Sequence, residues 1–437
     1  MNIINIIYPF IYAGILVYWF VAYRHKVGYF GVGAYTLIML VISACCGAIY
    51  ELNPIFSHLR PFSLVAYLYL IVIHYFYYKP ILNVRERNIQ KIWSPPVSTV
   101  KGLIVFLALI NFLPLIENSI HIVGNLASGS VFNAGQFMDR TEDDVSELFY
   151  MTTLGRRFQI LSAMLSTLTI LLSFYYFCLP KKFIKKRIIA CIVLCIANTV
   201  TAPLAIGQRG PLLMDVFFMG FCYFFFKTIY IESVRKRARK ILLTGGIVFS
   251  LALISISVGR YISFSQGYEG GDNLERTGMQ WVLQYIGESH GNFSSDMWGE
   301  THLGNYDPVL KAALGVFKIN LENPQPAQRF MGDTSLTVRW TTYVGTYYLA
   351  YGPYLTFIIL IGVGLIFTYI LRERKVYRVS DFILLSLYAR AVLTSFEFFP
   401  FMLEGAQVIT MPVFYLLFRI WERGKGHFII TTINQKI

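Results

Sequence analysis

The chain has 437 residues, 56% hydrophobic and only 14% charged, with a formal net charge of +14 and a mean hydropathy of +0.55. Soluble domains carry about 25% charged residues, so this composition excludes a soluble enzyme and points to a polytopic membrane protein. The basic excess invites a nucleic-acid reading, but the placement of the charges along the chain argues against it.

Apolar stretches long enough to cross a ~30 Å hydrocarbon core as helix predict eleven spans, at 3–22, 28–50, 62–78, 102–123, 158–179, 188–206, 211–231, 241–259, 343–371, 380–399 and 406–421. The expected fold is an all-α polytopic membrane protein forming a single integral membrane domain over residues 1–437, with a large external loop carrying short amphipathic helices. The first span has no basic leader and no small-residue cleavage site, so it is expected to be retained. The connectors near residues 24–26, 79–91, 181–187, 235–240 and 372–378, with the C-terminal tail, fall on one side if eleven spans are right. That side holds 26 of the 38 Lys and Arg and 5 of the 24 acids. The positive-inside rule makes it cytoplasmic, with the N-terminus periplasmic and the C-terminus cytoplasmic in a bacterial inner membrane. The basic excess is topology, and no nucleic-acid partner is expected.

All six cysteines fall in predicted spans. Cys191 and Cys195 are one helical turn apart without a His or acidic neighbour, so packing is expected there and no metal site. Nothing in the sequence calls for a cofactor.

Two segments are too long for simple connectors, a first external loop at 117–157 and a larger one at 260–342. Long irregular segments in compact proteins usually carry function. In the larger loop, Met279, Val282, Leu283 and Ile286 repeat at helical spacing, as do Leu310, Ala313, Leu314 and Phe317. These two short helices are expected either on the outer membrane surface or against the transmembrane bundle. The ninth span, "WTTYVGTYYLAYGPYLTFIILIGVGLIFTYIL", is too long for one straight crossing. Gly352 and Pro353 predict a break, which at membrane depth is tolerated only in protein or beside a cavity.

Basic residues that oppose the charge bias are the informative ones. Arg157, Arg209, Arg260 and Arg339 sit at the external ends of spans, Arg329 lies in the large loop, and Arg390 falls within the tenth span. A guanidinium presents a planar fork of donors that fits phosphate oxygens, so Arg209, Arg260, Arg339, Arg329 and Arg157 are the candidate contacts for a diphosphate or sugar phosphate. The competing reading is that each pairs locally or reaches lipid headgroups, with Asp215 a partner for Arg209. For proton transfer the external candidates are Glu288, His290, Asp296, Glu300, His302, Asp307 and Asp333. Within "GESHGNF", Glu288 and His290 follow an amphipathic helix and are the favoured catalytic pair.

With these residues in view, the chain resembles the Wzy-type oligosaccharide repeat-unit polymerases of O-antigen and capsule assembly. The resemblance rests on the eleven spans, the external loop over 260–342, the "GQRGPLL" turn that opens a middle span, and the late "TYYLAYGPYLTFIILIGVGLIF". It covers the whole chain in layout. It implies inverting glycosyl transfer at the periplasmic face, from a glycan on undecaprenyl diphosphate to a hydroxyl of another lipid-linked repeat unit. The implied partners are that lipid-linked oligosaccharide, membrane lipids and a chain-length regulator. An O-antigen ligase shares the layout. A flippase or other transporter of lipid-linked sugar is the rival from another class, although the sequence lacks the matched halves and paired helix breaks of many transporters.

Overall fold

The computed structural model describes residues 3–54, 58, 60–128, 150–205, 210–240, 278–299, 342–395 and 406–430. In chain order the elements are α1 (Ile3–Val27), α2 (Val32–Tyr50), α3 (Leu64–Leu82), β1 (Lys91–Ser94), α4 (Val97–Ser128), α5 (Thr153–Met164), α6 (Ser166–Tyr176), α7 (Lys186–Ala205), α8 (Gly210–Phe226), α9 (Gly278–Asn292), α10 (Tyr343–Ile370), β2 (Val376–Arg378), α11 (Val379–Leu393), α12 (Ala406–Lys425) and β3 (His427–Ile430). The described chain is predominantly helical. Six of its helices are long and apolar enough to cross a membrane, or seven if the bent pair α5–α6 counts as one span. Helix α8 is apolar but shorter, and the predicted span at 241–259 lies outside the described residues.

Two compact units emerge. One comprises residues 1–86, 279–374 and 387–409, the other 87–278, 375–386 and 410–437. In the first unit α2 packs on α1, and α10 packs along α3. Side-chain oxygens take up amide hydrogens that the first helical turn leaves unpaired: Ser63 accepts from the Ala66 N–H at the start of α3, and Thr342 from the Gly345 N–H at the start of α10. Helix α10 breaks where the sequence predicts. Gly352 has φ 72°, a left-handed value that a residue with a Cβ adopts only at a cost, and Pro353 follows it. Tyr69 of α3 donates its hydroxyl to the Pro353 carbonyl at 2.6 Å, tying the break to its neighbour. Beyond the break Tyr354 is 84% exposed and Tyr369 74% exposed. They stand about 22 Å apart along a helix rising 1.5 Å per residue, near the two ends of a segment long and apolar enough to cross a membrane.

Helix α9 realises the first amphipathic helix predicted in the large loop and packs within the first unit instead of lying apart from it. Ser43 of α2 donates to the Ile286 carbonyl at 2.6 Å. Gly47 and Gly287 meet backbone to backbone, and a Cβ on Gly47 would lie 2.5 Å from the Gly287 carbonyl oxygen. The second amphipathic helix predicted there lies outside the described residues. In the shorter loop, residues 117–128 continue α4 and 153–157 open α5.

In the second unit, β1 is the central strand of a three-stranded sheet, parallel to β2 and antiparallel to β3. It joins three segments that charge alternation puts on one side of the membrane, and a hydrogen-bonded sheet requires them to share a side. Trp93 Nε1 donates to the Glu422 carbonyl at 2.9 Å. The Glu422 carboxylate accepts from both the amide and the hydroxyl of Ser380 at the start of α11. Helices α4, α5 and α7 are joined by a buried amide network. Asn118 donates to Asn198, Asn198 to Asn111, and Ser162 to Asn111, while Tyr150 donates to Asn118. In lipid such bonds replace hydrophobic driving force as interhelical glue. The fifth predicted span is not straight: α5 and α6 meet at 65° around Leu165, whose φ −104° and ψ 5° interrupt the helix. Thr410 donates to the Met164 carbonyl beside the bend.

Candidate functional site

The first unit gathers its ionisable groups around α9 and the π-helical turn Phe293–Met297 that follows it. Such wide turns recur at functional sites because they displace side chains from the regular helical stripe. The close Gly47–Gly287 approach brings α9 near enough to α2 for its last turn to reach side chains of α1, α2 and the 51–63 connector.

The two residues favoured from sequence both lie here and both are buried. His290 is held at each ring nitrogen, with the Tyr12 hydroxyl 3.2 Å from Nδ1 and Ser43 Oγ 3.1 Å from Nε2. Ser43 already spends its hydrogen on the Ile286 carbonyl, so Nε2 of His290 carries the proton and donates to Ser43. Nδ1 then accepts from Tyr12. Glu288 accepts from Gln284 Nε2 at 2.7 Å within the same helix. The structure thus brings the pair into one buried region with internal partners.

A second group lies on the same helix end. His58 Nε2 is 2.7 Å from Glu51 Oε2, and its Nδ1 is 2.8 Å from Ser295 Oγ and 3.7 Å from Asp296 Oδ2. Ser295 also reaches the Gly291 carbonyl at 2.9 Å and Asp296 Oδ1 at 3.0 Å. One imidazole therefore sits between two buried carboxylates. Burial alone would lower the His58 value, but the Asp296 and Glu51 carboxylates outweigh it and raise it from 6.5 to about 9. His58 is then an imidazolium at neutral pH, donating from both nitrogens. Because its folded value lies above the ordinary ~6.5, its stabilisation is complete below that pH and is lost as pH rises through about 9. The unfolding midpoint of the detergent-solubilised protein should fall across this window, and His58→Gln should remove that part of the pH dependence.

Beside this array stands a wall of rings. Tyr69 lies 6.2 Å from Phe293, 5.2 Å from Trp298 and 6.3 Å from Tyr348, centroid to centroid. The Tyr348 hydroxyl accepts from the Gly299 N–H at 3.1 Å, and Arg60 Nη1 points to the Trp298 carbonyl at 3.5 Å. The same Tyr69 anchors the break in α10. Acid–base groups, a cation and aromatic faces thus converge where the helix is interrupted.

Asp296 was among the proton-transfer candidates in the sequence. Glu51 and His58 were not, since "ELNPIFSHLRPF" reads as a short connector. Of the predicted anion contacts, Arg157 is exposed in the first turn of α5 in the second unit. Arg209, Arg260, Arg329 and Arg339 lie outside the described residues. Asp215 is buried in α8, and Arg390 is fully buried in α11. Among the described residues no group of three His, Cys, Asp or Glu side chains is arranged to hold a metal ion. Compared with protein-family models, with curated proteins and with solved structures, the chain matches none.

Proposed function

We propose that this chain is a lipid-linked oligosaccharide polymerase of the Wzy type, joining undecaprenyl-diphosphate-linked repeat units by inverting glycosyl transfer. The observation that carries the reading is the meeting of the buried Glu51–His58–Asp296 array with the Tyr69–Phe293–Trp298–Tyr348 wall at the break in α10. Sugar rings offer hydroxyls that need acceptors and C–H faces that stack on aromatic rings, and both are supplied together. In the topology expected from charge alternation, the 51–63 connector, α9 and the start of α10 all lie on the periplasmic side of eleven spans, where the lipid-linked substrate presents its glycan.

The acceptor hydroxyl oxygen attacks the anomeric carbon of the donor chain. The bond from that carbon to the diphosphate oxygen breaks, and its electron pair leaves with undecaprenyl diphosphate. The hydroxyl proton passes to a base. Negative charge grows on the diphosphate, so preorganised arginines lower the barrier, the role we assign to Arg209, Arg260 and Arg339, with Arg329 and Arg157 next. Glu288 and His290, the catalytic pair favoured from the sequence, are buried on the helix that leads into the turn carrying Asp296 and are proposed to serve the same proton transfer.

Deleting the gene should leave surface glycan bearing a single repeat unit in place of a ladder of lengths. A persisting ladder would sink the proposal, and loss of all surface glycan would point to a ligase or a flippase. Arg209→Ala and Arg260→Ala should each lower polymer yield by about 10²-fold, on the scale of losing one transition-state donor.

A further inference from the structure

Glu51 is 2% exposed, and its two carboxylate oxygens have different surroundings. Oε2 accepts from His58. Oε1 is buried and has no hydrogen-bond partner among the described residues. Buried carboxylate oxygens are ordinarily satisfied, because an unpaired one forfeits its hydration without replacement. Oε1 lies over Gly291, where a Cβ would come within 2.5 Å of it, so the absence of a side chain at 291 is what lets the carboxylate occupy this position. His58 holds the other oxygen and is itself held by Ser295 and Asp296. The carboxylate is therefore fixed in orientation with one oxygen free of a protein partner among the described residues, and the turn that holds His58 through Ser295 also carries Phe293 of the aromatic wall.

We infer that Glu51 Oε1 receives the hydroxyl of the acceptor sugar and is the base of the transfer reaction, with His58 and Asp296 as positioning residues. This rests on the polymerase reading and goes beyond it by naming the base and the group it takes. The acceptor O–H donates to Oε1 in the bound state. As the new C–O bond forms, its proton moves to Oε1, while the electron pair of the breaking C–O bond goes to the departing diphosphate. No general acid is required, since a diphosphate leaves as an anion without protonation. The proton on Glu51 returns to water when the product moves on. The two neighbouring positions face different partners: His290 meets Tyr12 of α1 and Ser43 of α2, and Gly291 meets Glu51.

The test uses the full-length protein in lipid nanodiscs and, as probe, the undecaprenyl-diphosphate-linked repeat unit extracted from cells lacking this gene. Glu51→Gln should lower kcat for multimer formation at least 100-fold with KM changed less than threefold. Glu51→Asp, which keeps a carboxylate but withdraws it by one methylene, should retain multimer formation at a rate about tenfold reduced. Gly291→Ala leaves every ionisable group in place but crowds Oε1, and should resemble Glu51→Gln. Unfolding midpoints distinguish loss of chemistry from loss of fold, and Glu51→Asp carries the test if Glu51→Gln does not fold. Polymer formation at the wild-type rate by either folded Glu51 variant overturns the inference and leaves the polymerase reading intact. Failure of the wild-type protein to make multimers overturns the polymerase reading instead.

Discussion

Alanine at Gly287 is expected to detach α9 from α2 and to lower stability by about 3 kcal/mol or more, the upper range for forcing atoms into a packed interior. A Cβ there would lie 2.1 Å from the Gly47 amide nitrogen and 2.5 Å from its Cα. Both are backbone atoms, so no side chain can rotate aside. The elements must separate, and separation breaks the Ser43 bond to the Ile286 carbonyl and the contact of Ser43 with His290. Thermal unfolding of the solubilised variant reads the loss directly. Alanine at Gly362, which would meet nothing within 4 Å, is the control and should change the midpoint little.

The second large effect is expected at His58. Leucine there leaves the Glu51 and Asp296 carboxylates, 3% and 1% exposed, without the cation they share. Breaking a buried charge group by removing one member costs about 3–5 kcal/mol, because the remaining charges stay desolvated. Adding Glu51→Gln and Asp296→Asn to His58→Leu should recover much of that stability, since neutral amides carry no uncompensated charge. A triple variant no more stable than His58→Leu would show that the array does not hold this end of the first unit together electrostatically.

What could be read from the sequence was what local chemistry determines. Gly352 and Pro353 interrupt an apolar run and do so through their own backbone restrictions, and the structure breaks α10 there. The i, i+3, i+4, i+7 pattern from Met279 to Ile286 foretold α9, since an amphipathic stripe needs no knowledge of its partner. The pairing of β1, β2 and β3 agrees with the shared side that charge alternation assigns to their segments. The bend at Leu165 was not legible, because "SAMLSTLT" contains neither Gly nor Pro and the Met164 carbonyl finds Thr410, 246 residues away. The Asn111–Asn118–Asn198 network was equally hidden. Asn111 is an isolated polar residue in an apolar run, and its partner Asn198 is 87 positions away. Site residues divided the same way. Glu288, His290 and Asp296 were visible as ionisable groups after an amphipathic pattern. The pairing of His58 with Ser295 spans 237 positions and depends on the Gly47–Gly287 approach, which no local pattern reveals.

The central claim is tested most directly by incubating the purified protein in nanodiscs with the undecaprenyl-diphosphate-linked repeat unit alone and following both products. The account predicts a ladder of lipid-linked multimers, with one undecaprenyl diphosphate released for each new glycosidic bond and the anomeric configuration inverted at each junction. Recovery of the substrate unchanged, without multimers or free undecaprenyl diphosphate, would contradict it.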